Sequence, residues 1–327
     1  MIFIIKIMIR RKIQLSGKLT YIVSLPKKWV EKMGLRKGDE IIIYPQDDGT
    51  LILSPAIISD EIKKREITLD ITGKPLDSES LERLLIAYYE AGYDTIRILN
   101  REVIPGKTRE NIRKILRKLS GLEIIEERAR EIVLQSFLDV TQIKIEKTLE
   151  RMEIILKSMM SDLIFAIEEK NKKVLRNLMY RDDELDKFYS LLSKQVSVAL
   201  KSKKIAEEIG FRDPSLILPY KAYGKCLEAM GDIINLMCRV VDAEEIHVNL
   251  DMLKKSKEIM ENAINSFRKD CAESEKRVAK LYSEFINEID DYMEDKKLKK
   301  PALLEILFNN FCIDIIEICA QKRALEA

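Results

Sequence analysis

Histidine is almost missing from this chain: His247 is the only one in 327 residues. Without a second imidazole there is no paired E-x-x-H di-iron site and no H-E-x-x-H zinc protease. His247 lies in DAEEIHVNLD, a helix connection, where an ordinary surface or packing role is the expectation. Neither a G-x-x-x-x-G-K-[ST] phosphate loop nor a G-x-S-x-G nucleophile turn occurs. Catalysis of the familiar kinds is therefore not expected, and the chain reads as a non-enzyme. Five cysteines (Cys226, Cys238, Cys271, Cys312, Cys319) form no C-x-x-C pair, and an odd count without a framework points to buried thiols in a reducing cytoplasm. Long apolar runs are missing too. The leader MIFIIKI falls far short of a bilayer span and no cleavage pattern follows it, so no membrane insertion is expected. Translation is expected to begin either at Met1 or at Met8, where the patterned sequence starts.

Overall charge bias is also absent, with 57 Lys and Arg against 55 Asp and Glu. Locally it is not. Residues 8–37 carry nine basic side chains against the single acid Glu31, a clustering suited to a phosphate backbone. The length allows two or three domains, and 46% apolar residues suffice for their cores. Lys, Glu and Ile dominate while glutamine is rare, the composition of heat-adapted proteins.

The stretch SGKLTYIVSLPKKWVEKMGLRKGDEIIIYPQDDGTLILSP, residues 16–55, selects one small architecture. Alternating apolar residues from Leu19 to Leu25 predict a strand, and Pro26 opens a helix that runs to about Met33 and stops at Gly34. Asp39 to Tyr44 and Leu51 to Leu53 predict two more strands, with Lys12 to Leu15 as a fourth. About 45 residues bury too little surface to fold alone, which calls for a second copy. The motifs YIVSLPKKW and GLRKGDEI make residues 8–55 resemble the swapped-hairpin family that includes AbrB, SpoVT and MazE. The resemblance implies a homodimer whose interleaved hairpins can lie on DNA. On that expectation Arg10, Arg11, Lys12, Lys18, Thr20, Lys27 and Lys28 are the nucleic-acid contacts. The alternative is that the basic residues are solvated lysines on a module that only pairs.

Residues 62–136 alternate strand and helix signals in the order βαβαββ, a small α/β linking domain with no recognisable chemistry. From residue 137 to 327 the pattern is all helical. Stripes such as Met152, Ile155, Met159, Leu163 and Ala166, or Leu227, Met230, Ile234, Met237 and Val241, mark separate long helices. FYSLL at 188–192 returns as LYSEF at 281–285, and Pro219 to Asp232 aligns with Pro301 to Asp314. Six helices thus read as two three-helix repeats forming one bundle.

Two acid pairs stand out within the bundle. Asp182 and Asp186, and likewise Glu228 and Asp232, lie four apart and so share a helical face. Like charges so placed repel unless a cation intervenes, and carboxylate oxygens are ligands for hard cations and iron. Gly224 and Gly231 flank Glu228 and leave room for close approach or an ion. Acids are so common here that several such pairs arise by chance, and on spacing alone solvated surface acids are the better reading. DDELDKFYSLL and LEAMGDII, however, resemble the two signatures of the PhoU family of phosphate-uptake regulators, whose E/D-x-x-x-D motifs hold metal clusters on the bundle surface. The order of head, α/β block and bundle resembles the archaeal PhoU-related regulators. The resemblance implies that Asp182, Asp186, Glu228 and Asp232 ligate a metal (iron, zinc, magnesium or manganese), with Asp183 a neighbour. In the second repeat Glu275, Ala279, Asn310 and Asp314 fill the corresponding places, so one site or none is expected.

The expected function is a cytoplasmic, dimeric regulator of phosphate uptake that binds DNA through its head and metal through its bundle. The alternative is an adaptor that does not bind DNA and modulates a phosphate ABC transporter, or its signalling proteins, through protein contacts. Metal-assisted hydrolysis at the four carboxylates ranks last, since a general base is missing.

Overall fold

The computed structural model describes residues 9–17, 19–45, 49–56, 65–73, 76–211, 213–243, 248–269, 272–293 and 298–327. Its chain divides into two compact units, Met1–Lys64 and Arg65–Ala327. Lys18, His247 and Cys271 lie outside the described residues, as does the leader through Met8.

The first unit is built from two separate hairpins and a short helix. Strand β1 (Gln14–Ser16) pairs antiparallel with β2 (Thr20–Ile22), placing Leu15 opposite Tyr21. The strand expected at Lys12 to Leu15 is thus displaced to Gln14–Ser16, because the turn at Gly17, with φ of +67°, sets the register from its own end. Helix α1 (Lys27–Lys32) follows Pro26, whose carbonyl accepts from the amides of Trp29 and Val30, and stops before Gly34 at φ +68°. Strands β3 (Ile41–Pro45) and β4 (Leu51–Pro55) form the second hairpin. Apolar side chains of both hairpins are left in water. Leu19 is 92% exposed and Tyr21 74%, and Leu15, Ile43, Leu51 and Ile52 are exposed as well.

The second unit starts with a four-stranded sheet. Strand β5 (Glu66–Asp70), helix α2 (Ser78–Glu90), strand β6 (Thr95–Leu99), helix α3 (Gly106–Leu116) and strands β7 (Leu122–Glu127) and β8 (Glu131–Ser136) follow in that order. The sheet order is β5-β6-β8-β7, with β5 and β6 parallel and the other pairs antiparallel. Asp77 caps α2 by accepting from the Ser80 amide at 2.6 Å, and Leu81, Leu85 and Tyr89 then recur at the helical period to cover the sheet. After α3 the chain tightens into three-residue turns, with Lys118 N donating to Ile115 O and Leu119 N to Leu116 O. Helix α3 therefore ends at Leu116.

Helices α4 (Ile145–Glu168), α5 (Lys172–Ala199), α6 (Lys203–Ile209), α7 (Ile217–Ala243), α8 (Leu250–Lys269), α9 (Ala272–Met293) and α10 (Lys299–Glu326) complete the unit. The short α6 was not legible in the sequence: seven residues are too few to display a period. It is defined by its ends instead, Ser202 capping the Ile205 amide and Gly210 turning at φ +118°. Helices α4, α5 and α7 pack on one another, as do α8, α9 and α10, and the groups meet along α7–α10 and α4–α8. The expected stripes line the shared core, and Cys226, Cys238, Cys312 and Cys319 are buried in it.

Two buried carboxylates in this core are treated differently. Glu153 receives Arg268 Nε at 2.8 and 2.9 Å and the Tyr223 hydroxyl at 2.7 Å. Glu305, 3% exposed, has the Ser256 hydroxyl at 3.2 Å, and burial pushes its carboxyl from 4.5 up to about 8. A raised folded-state value means that stability is fully present below pH 4.5 and is lost as pH rises through about 8. Glu305→Gln is expected to flatten the decline of melting temperature between pH 5 and 8, a slope of at most about 1.4 kcal/mol per pH unit. An unchanged slope in the variant would place the pH dependence elsewhere.

Candidate metal centre

The crossing of α5 and α7 depends on two residues without side chains. A Cβ at Gly224 would stand 2.1 Å from Leu192 Cδ2, and one at Gly231 would stand 2.3 Å from Leu185 Cδ2 and 3.2 Å from Asp182 Oδ1. Both leucines are fully buried, so neither can step aside cheaply. The glycines therefore serve helix approach, and that approach delivers the acids of α5 to those of α7.

At the crossing Asp182, Asp186 and Asp232 each place a carboxylate oxygen within 4.8 Å of the others. Asp182 is 8% exposed. Its Oδ2 accepts from Asn235 Nδ2 at 2.6 Å, whereas its Oδ1 is buried without a hydrogen-bond partner. A buried acceptor without a donor is costly, and a cation removes the cost. Burial, then the charges of Asp182, Asp232 and Glu228, push the Asp186 carboxyl up to about 7. Burial also raises Asp182 and Asp232. Three crowded oxygen donors with one orphaned atom fit a hard divalent cation, for which these residues would supply the ligands and water the remaining positions.

Glu228, the fourth carboxylate proposed from sequence, is not in this trio. It pairs with Lys225 on its own helix, although its charge still reaches Asp186 and Asp232. Asp183 points to Lys118, 3.4 Å away. In the second half, Glu275 is held by the Arg323 guanidinium and Asn310 Oδ1 accepts from the Tyr282 hydroxyl at 2.6 Å. Among the described residues the trio is the one such cluster. Three contributors escaped the sequence reading. Asn235 follows Asp232 by three and Arg239 by seven, a shared face that could have been noticed, and Arg239 Nε orients the Asn235 amide at 3.1 Å. Lys118 comes from another part of the chain and no local pattern announces it.

The proposed nucleic-acid residues remain apart from this centre, in the first unit. Arg10, Arg11 and Lys12 precede β1, Thr20 opens β2, and Lys27 and Lys28 open α1. All six are exposed.

The sequence model of the PhoU domain matches residues 149–241, which span α4 to α7 and contain the whole trio. The chain carries a PhoU domain. PhoU-domain proteins are non-catalytic regulators, with which a non-enzyme assignment is consistent. Ahead of the PhoU domain is a hairpin-rich unit, where the model described as antidote-toxin recognition MazE, bacterial antitoxin, matches residues 17–62. Among solved structures, the phosphate transport system regulatory protein PhoU from Streptococcus pneumoniae is similar at 16% identity, over 55% of this chain and 93% of that one, with a TM-score of 0.41. No curated protein matches. No helix among the described residues is long and apolar enough to cross a membrane.

Gly231→Ala is expected to lower stability by about 1–3 kcal/mol, the scale of overpacking a filled core. Chemical denaturation measures it, and a variant as stable as the parent would show that α5 and α7 have slack at the crossing.

Proposed function

We propose that the chain is a regulator of phosphate uptake of the PhoU kind, an adaptor acting through contacts with a phosphate ABC transporter or its signalling proteins. It holds a hard divalent cation on Asp182, Asp186 and Asp232. The observation that carries this reading is the convergence of three carboxylates, one with an orphaned buried oxygen, inside the segment matching the PhoU domain. An all-oxygen donor set suits magnesium or manganese better than zinc, which prefers nitrogen and sulfur, and suits iron only in part. The bundle is read as two three-helix repeats of which only the first keeps a site, since Arg323 supplies the positive charge at Glu275. A cytoplasmic location accords with this role.

Calorimetric titration of manganese into the full chain is expected to show about one site, weakened about tenfold or more by Asp232→Asn. Absence of binding in the parent would remove the cation from the proposal. The adaptor role is tested separately, by mixing the chain with the purified nucleotide-binding subunit of a phosphate transporter. Failure to associate at any phosphate concentration would count against it.

A second reading concerns the head. The exposed apolar side chains of both hairpins favour pairing with a second copy, and the basic cluster in residues 8–37 favours DNA on the resulting surface. Within this reading, residues 8–55 are the dimerisation and DNA-binding domain, 62–136 the linking domain and 137–327 the bundle. Ile43→Asp is expected to yield monomers in light scattering. A gel-shift series at two salt concentrations separates a sequence-specific regulator, which keeps its preference at the higher salt, from a head that only pairs.

A further inference from the structure

Lys118 stands just beyond α3, in the α/β block, yet its ammonium reaches the helical body. Its Nζ is 3.0 Å from Glu82 of α2 and 3.4 Å from Asp183 of α5, the residue next to Asp182. The tightened turn after α3 places it there, through the bond from Lys118 N to Ile115 O at 2.9 Å. A second lysine, Lys225, belongs to α7 and is engaged with Glu228. Lys118 is thus the flanking cation supplied from outside the two helices that make the site.

We propose that Lys118 sets the cation affinity of the Asp182, Asp186 and Asp232 cluster, so that the α/β block reads whether the site is filled. The inference rests on the cation reading above and adds to it the element that responds. Negative potential from the carboxylates holds the ammonium against Asp183. A divalent ion among them cancels that potential and repels the ammonium, which retains Glu82 within its own block as a partner. Antagonism of this kind is mutual: whatever filling the site does to the Lys118 contact, the contact does to the affinity for the ion. The rest of the block cannot drift in response. Lys194, 1% exposed, donates to Ser136 at 2.8 Å beneath the Tyr89 ring, and Lys201 donates to Ala91 O at 2.7 Å. The response is therefore confined to the turn that follows α3.

The test compares the full-length parent with Lys118→Ala and Lys118→Arg, titrating manganese by calorimetry and following amide hydrogen exchange over residues 112–121. Lys118 is partly exposed, so neither variant should unfold. The alanine variant is expected to bind about three- to tenfold more tightly, the scale of one partly screened charge acting on a divalent ion, and the arginine variant like the parent. Manganese is expected to speed exchange over 112–121 in the parent and leave it unchanged in the alanine variant. Equal or weaker affinity of the alanine variant, with the parent binding normally, overturns the role of Lys118 alone. Exchange unmoved by bound manganese overturns the reading of occupancy by the block. A parent that does not bind manganese overturns the cation site itself.

Discussion

Crowding of like charge at a helix crossing is the constraint around which this protein is organised. Three carboxylates whose oxygens lie within 4.8 Å of one another would ordinarily spread apart or turn to solvent. Here Asp232 reaches solvent, but the three cannot spread apart, because Gly231 lets α7 come close enough to α5 for Leu185 to fill the crossing, and the acids ride on helices locked by that packing. The strain shows in two ways. Protons are held more tightly than at ordinary aspartates, and one buried oxygen of Asp182 has no donor. Positive charge in the form of a cation is the relief that oxygen donors admit.

Elsewhere in the bundle comparable charge is handled by other means. Arg323 engages Glu275, Arg268 engages Glu153, and Glu305 is kept near neutrality by burial. These are two different answers, a guanidinium partner and neutralisation, to the same desolvation cost. At the α5–α7 crossing, among the described residues, no guanidinium or ammonium lies within the trio itself, and Lys118 and Lys225 sit at its flanks.

That flank is where the α/β block gains a role. It is attached to the body through Lys194 of α5 and Lys201 just beyond it, with Glu90 of α2 facing Ser190, Ser193 and Lys221. The sheet and the bundle accordingly fall in one compact unit. The head is a unit of a different sort. Its two hairpins each have a side that water wets although the residues are apolar, a state that isolated two-stranded sheets do not sustain for long without a cover.

Sequence alone determined what local periodicity and turn chemistry can encode: the long helices with their Leu, Ile and Met stripes, the βαβαββ order, the start of α1 at Pro26 and its stop near Gly34, and the placement of four acids on two helical faces. Residues three and four apart on a helix must neighbour each other, so Asp182 and Asp186 were recognisable as a pair before any packing was known. Where strands began, where α3 ended and that α6 existed were decided by end effects too short to leave a period. Tertiary structure decided which acids belong together. Asp232 joins the α5 pair while Glu228 turns to Lys225, and Asn235 and Lys118 complete the surroundings, because helix crossing angle and the reach of a distant turn are set by packing across the chain and leave no mark on neighbouring residues.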